Sequence, residues 1–100
     1  MAFTLKFTEV AKQNLHDLEH DSDKADLQKL KRVRKCLGQL ELNPRHPSLN
    51  SHKYTDLKGR NNEDVWESYV ENHTPSAWRI FWHYGPEQGM ITIITITPHP

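Results

Sequence analysis

Asp64-Val65-Trp66-Glu67-Ser68-Tyr69-Val70, then Trp78-Arg79-Ile80-Phe81-Trp82, then Met90-Ile91-Thr92-Ile93-Ile94-Thr95-Ile96-Thr97-Pro98-His99-Pro100 are three runs dense in β-branched and aromatic residues. Short turn-forming segments separate them, so strands are expected over residues 65–71, 77–84 and 90–97. Side chains alternate across a strand, which lets the two hairpins be put in register. Centring the first turn on Thr74 sets Trp66 opposite Trp82, Ser68 opposite Ile80 and Val70 opposite Trp78. Those positions form a heavy apolar face suited to cover by helices. Glu67, Tyr69 and Glu71 then share the other face with Arg79, Phe81 and His83. Centring the second turn on Glu87 brings Thr95 beside Arg79 and divides that face. Val65, Phe81, Ile91 and Ile93 make its apolar end; Tyr69, Arg79, Thr95, Thr97 and His99 make its polar end.

Upstream, Phe3, Leu5 and Phe7 alternate with Thr4 and Lys6 as a short first strand. Thr8 can cap a helix whose first turn holds Glu9 and whose apolar side is Val10, Ala11, Leu15 and Leu18. Ser22 or Asp23 can cap a second helix, from about Lys24 to Glu41, with Leu27, Leu30, Val33, Leu37 and Leu40 at three- and four-residue spacing. It is expected to end before Asn43-Pro44. Residues 43–62 are polar and rich in turn formers and read as a long loop. The order β-α-α-β-β-β specifies one α+β domain over residues 1–100, with two helices packed on a small, mostly antiparallel sheet.

The totals narrow the function classes. Thirteen basic residues balance thirteen acidic ones, so net charge supplies no argument for a nucleic-acid partner, nor against a local basic patch. The single cysteine, Cys36, excludes an internal disulfide and sits among apolar helix positions as a buried thiol. The first residues lack the apolar region of a signal peptide, and the longest apolar run is too short to span a bilayer. A cytoplasmic protein with no membrane partner is the expectation. His16 and His20 stand one helical turn apart, but no HExxH pattern or cysteine pair joins them, so no metal and no cofactor are expected.

The polar end of the open face suits phosphoryl transfer or phosphodiester cleavage. Arg79 offers a planar fork of donors for a phosphate, His99 titrates near neutrality, Tyr69 can donate a hydrogen bond and Glu67 can act as a base. The same residues also allow a plain cross-strand pair between Arg79 and Glu67 or Glu71. Lys53 and Tyr54 combine a charge with a stacking ring, and Lys58 and Arg60 add cations, a set fit for RNA or for a solvated loop. Lys24, Lys29, Lys31, Arg32, Arg34 and Lys35 on the second helix form either a phosphate-binding face or its solvated side.

On Asp56-Leu57-Lys58-Gly59, Val65 to Tyr69, Trp78 to Trp82 and the last strand with His99, the chain resembles the RelE/ParE superfamily of type II toxin–antitoxin toxins over nearly its whole length. The resemblance to the RelE-like branch implies a ribosome-dependent mRNA endonuclease. In that reaction a ribose 2′-hydroxyl attacks the adjacent phosphate without a metal. Arg79 then matches the strand arginine that stabilises the charged phosphate, and His99 the C-terminal proton-transfer residue. Lys53, Lys58 and Glu67 are looser matches for a base or phosphate contacts. The implied partners are a cognate antitoxin, the ribosome and mRNA. The ParE-like branch, which acts on DNA gyrase by protein contact, and a non-catalytic binding module are the alternatives.

Overall fold

The computed structural model describes residues 2–20, 24–71 and 77–98. The expected cap at Ser22 or Asp23, the turn around Thr74, the side chain of Lys24, and His99 lie outside the described residues. The elements are β1 (Thr4–Phe7), α1 (Glu9–His20), α2 (Lys24–Leu42), a 3-10 turn (Pro47–Leu49), β2 (His52–Lys58), β3 (Asp64–Tyr69), β4 (Trp78–Tyr84) and β5 (Met90–Pro98). Both helices cover one face of a single sheet ordered β1-β5-β4-β3-β2, in which only the β1–β5 pair is parallel. The α+β class read from the sequence is the observed one. No helix among the described residues is long and apolar enough to cross a membrane.

Local chemistry sets the helix ends. Thr8 Oγ1 accepts the Ala11 N–H at 3.1 Å and donates to the Ile94 carbonyl at 2.6 Å, so one hydroxyl starts α1 and ties it to β5. Asn43 Oδ1 accepts the Arg45 N–H just beyond α2, diverting the chain before Pro44 can continue the helix. Leu30, Val33, Leu37 and Leu40 bury against Ile80, Trp82, Ile91, Ile93 and Ile96, each worth about 1.5–3 kcal/mol of apolar burial. The apolar stripes are narrower than their spacing suggests. Val10 is 58% exposed and Leu27 45%, because α1 and α2 each present only part of their apolar side to the sheet.

The segment expected as a loop contains a strand. β2 is an edge strand with one partner, and nearly all its side chains are exposed, so its sequence lacks the alternation that marks a half-buried strand. The sheet therefore has five strands. The β3–β4 register is as expected, with Trp66 opposite Trp82, Ser68 opposite Ile80 and Tyr69 opposite Arg79.

The β4–β5 register is not. Phe81 pairs with Thr95 but Trp82 pairs with Ile93, so Ile94 is an extra residue in β5. Below this bulge the faces invert. Ile91 and Ile93 join the helix-covered core instead of the open face, and Thr92 takes their place beside His83. Above it Thr97, not Thr95, stands opposite Arg79. Thr95 turns its hydroxyl to Asn14 of α1, whose Oδ1 also accepts the Ile96 N–H at 3.0 Å and closes the edge of β5 where β1 has ended.

Candidate functional site

The face that the helices leave uncovered is mostly polar, and its centre is a carboxylate. Glu67 is 1% exposed although it lies on the open side, because β2 and β4 flank it and Tyr69 and Phe81 stand beside it. A buried carboxylate is costly unless paired. Two nitrogen groups answer it: Arg79 Nε at 3.6 Å and His52 Nε2 at 3.0 Å from Oε1.

Arg79 is 7% exposed. Its Nη1 donates to the Glu71 carbonyl at 2.8 Å and to the Trp78 carbonyl at 3.1 Å, and its guanidinium lies 3.7 Å from the centre of the Tyr69 ring. Among the described residues, Arg79 Nε and Glu67 Oε2 are buried without a hydrogen-bond partner. The cluster thus holds a donor and an acceptor whose capacity the fold does not use.

His52 completes the arrangement. Its Nδ1 is 3.1 Å from the Asn50 carbonyl and its Nε2 faces the Glu67 carboxylate, so both ring nitrogens are engaged. The ring is edge-on to Tyr69, with centroids 5.5 Å apart. At 47% side-chain exposure it reaches solvent, where Glu67 does not. Sequence reading left His52 inside the polar segment 43–62, with no role of its own. Its pairing with Glu67 depends on β2, which polar composition hid, and the Asn50 backbone that aims it has φ 47°.

The remaining expected residues divide. Arg79, Glu67 and Tyr69 come together; His99 is not among the described residues. Lys53 and Lys58 sit on the opposite side of the sheet edge, both on Asp64, the former at 3.3 Å. Hydrogen bonds from Lys58 and then Lys53 hold the Asp64 carboxyl below the usual range. Tyr54 is on the open face, edge-on to Phe81 with centroids 4.9 Å apart. Arg60 lies away from the cluster, in the β2–β3 turn.

Of the α2 cations, Lys29 lies over Trp78, Arg32 pairs with Glu71 at 3.0 Å, and Arg34 pairs with Glu19 at 3.0 Å. His16 and His20 stack on each other, and no metal-binding group of three or more side chains occurs among the described residues. Burial pushes the Cys36 thiol up to about 12, so it remains protonated.

The arrangement of two helices on a five-strand, mostly antiparallel sheet is shared with solved structures of toxins. The chain superposes on a YoeB/ParE toxin from Agrobacterium tumefaciens with a TM-score of 0.70 at 11% identity, covering 97% of this chain and 99% of that one. The fold is that of the RelE/ParE toxins. RelE of an archaeal RelE–RelB complex from Pyrococcus horikoshii matches at 0.64 and 17% identity, over 98% and 96% of the two chains. A chain of the DinJ–YafQ toxin–antitoxin complex of E. coli matches at 0.64 and 10%, over 99% and 94%. The last two were solved in complex with antitoxins. No family model and no curated relative matches the sequence.

Proposed function

We propose that this RelE-fold chain is the toxin of a toxin–antitoxin pair and cleaves mRNA in the ribosomal decoding site. The observation that carries the reading is the Arg79–Glu67–His52 cluster, with Tyr69, on the one sheet face that the helices leave open. In the proposed reaction the ribose 2′-oxygen forms a bond to the adjacent phosphorus while the bond from phosphorus to the 5′-oxygen breaks. Glu67, the carboxylate at the centre of the cluster, takes the 2′-hydroxyl proton, with His52 and Arg79 holding its Oε1. The leaving 5′-oxygen takes a proton from the second group, assigned by resemblance to His99. Arg79 neutralises the phosphate as its charge grows. A cognate antitoxin would silence the toxin by adding a strand or helix over this face or along the helices.

The depth of Arg79, with both Nη1 hydrogens on carbonyls, favours a second reading. There the cluster only holds the sheet, and the protein acts by contact, as a ParE-like gyrase inhibitor or a non-catalytic binding module. Primer extension on a reporter message in a reconstituted translation reaction separates the two. The endonuclease reading expects cuts at decoding-site positions that vanish without ribosomes and with Arg79→Lys, which keeps the charge but not the fork. Absence of cuts from folded wild-type protein refutes it, and a supercoiling assay then tests gyrase inhibition.

A further inference from the structure

Far from Arg79, at the other end of the open face, a cavity of about 620 Å³ lies between β1, the start of α1 and the β2–β3 turn. Lys6, Lys12 and Arg60 bring three cations to its wall, against the carboxylates of Glu9 and Glu63; Lys58 also lines it, with its ammonium turned to Asp64. Lys12 is engaged with Glu9 at 3.2 Å. Glu63 is folded inward: its Oε1 accepts the Asn61 N–H at 2.9 Å, in space that a Cβ on Gly59 would fill. Lys6 and Arg60 make no ion pair or hydrogen bond among the described residues. Two unneutralised cations therefore converge on a recess whose remaining carboxylate, Glu63, is turned onto its own backbone and stands 3.9 Å from His83 Nδ1. Neither the mechanism nor the core uses them.

The cavity is in line with the cluster. Lys6 is beside Thr92, Thr92 is opposite His83, and His83 lies in the cavity wall. His83 is on the same face of the same strand as Arg79 and four residues away, about 13 Å at the rise of a β-strand. Tyr54 leans on Phe81 between them, a ring half-open to solvent at the height where a base would pass.

We propose that Lys6 and Arg60 form a second phosphate subsite, which holds the RNA strand a few nucleotides from the phosphate bound at Arg79, with an intervening base against Tyr54. The proposal rests on the RNA reading above and adds to it the direction in which the strand crosses the sheet, from β4 toward β1.

Fluorescence anisotropy with a labelled single-stranded RNA of about ten nucleotides tests it. Wild type is compared across a salt series with Lys6→Ala/Arg60→Ala, with Arg79→Lys, and with Lys31→Ala/Lys35→Ala. The last removes the same charge from α2, on the covered side of the sheet. The expected result is at least about a tenfold loss for Lys6→Ala/Arg60→Ala, and a slope of log K against log salt less steep by roughly 0.7 for each phosphate no longer neutralised. The α2 control should bind like wild type. Equal losses in both double variants would overturn the subsite, because only net charge would then matter. Wild-type binding by Lys6→Ala/Arg60→Ala alongside weakened binding by Arg79→Lys would overturn the subsite and leave the RNA reading standing. Absence of RNA binding by wild type would overturn the subsite, while the translation assay still judges cleavage independently.

Discussion

Truncating Arg79 should unfold part of what it is meant to test. Arg79→Ala removes the cation 3.6 Å from a carboxylate that is 1% exposed, together with both donors to the Glu71 and Trp78 carbonyls. Breaking a buried pair from one side strands the other charge and costs on the order of 3–5 kcal/mol. His52 remains against Glu67 and moderates the loss, so the lower end, about 3 kcal/mol, is the expected value. A domain of this length has roughly 5–15 kcal/mol in total. The melting temperature should therefore fall by about 12 °C or more, at some 4 °C for each kcal/mol. Urea titration followed by tryptophan fluorescence gives the free energy directly, and an unchanged m-value shows that the folded state is otherwise intact. Adding Glu67→Gln to Arg79→Ala removes the stranded charge and should recover much of the loss, whereas independent sites would simply add. A loss under about 1 kcal/mol for Arg79→Ala, or no recovery in the double variant, would refute the view that these two groups hold each other in the sheet. Arg79→Lys is for this reason the better probe of catalysis.

Ser68→Ala should cost about 1–3 kcal/mol in the same titration, because Ser68 Oγ accepts the Trp82 indole N–H at 2.7 Å and meets Ser51 Oγ at 2.6 Å. Cys36 should react slowly with a thiol reagent at pH 8 in the native protein and quickly in urea; burial keeps its proton up to about 12, so equal rates would contradict the buried placement. The unfolded chain releases that proton near 9.0, so stability should also decline as pH rises from there toward 12. Lys58 and Lys53 lower the Asp64 pKa below its ordinary 3.8, so the stability it adds is present above that value and lost as pH falls through the lower folded one. Asp64→Asn should accordingly flatten the acid limb of a melting-temperature profile, and 1 M salt should mimic it.

Periodicity made the helices and four strands legible, because each of those elements buries one side. Leu30, Val33, Leu37 and Leu40 announce α2, and Trp66 opposite Trp82 fixes the β3–β4 register. From that register alone Arg79, Glu67 and Tyr69 fall on one face. β2 escaped because an edge strand with exposed side chains has no burial to pattern it, and His52 escaped with it. The bulge escaped for another reason. Ile91, Ile93, Ile94 and Ile96 are equally apolar, so composition does not say which is the extra residue; packing against Trp82 and α1 decides. The exposure of Val10 was equally invisible, since its spacing fits the stripe that Ala11 and Leu18 occupy.

The parallel pairing of β1 with β5 also sets when the protein can exist during its synthesis. β1 has no partner in the sheet except β5, and the Thr8 hydroxyl that starts α1 binds the Ile94 carbonyl, 86 residues later. At roughly 5–20 residues per second, a nascent chain waits between about 4 and 17 s for that partner to be made, and longer for it to clear the exit tunnel. Until then α1 and α2 lack most of the apolar surface they pack on, and the strands that carry Glu67 and Arg79 form no more than an uncovered hairpin with β2. The open face is therefore assembled in one late step. Glu67 and Arg79 thus reach their places on a helix-covered sheet only after Ile94 has been made.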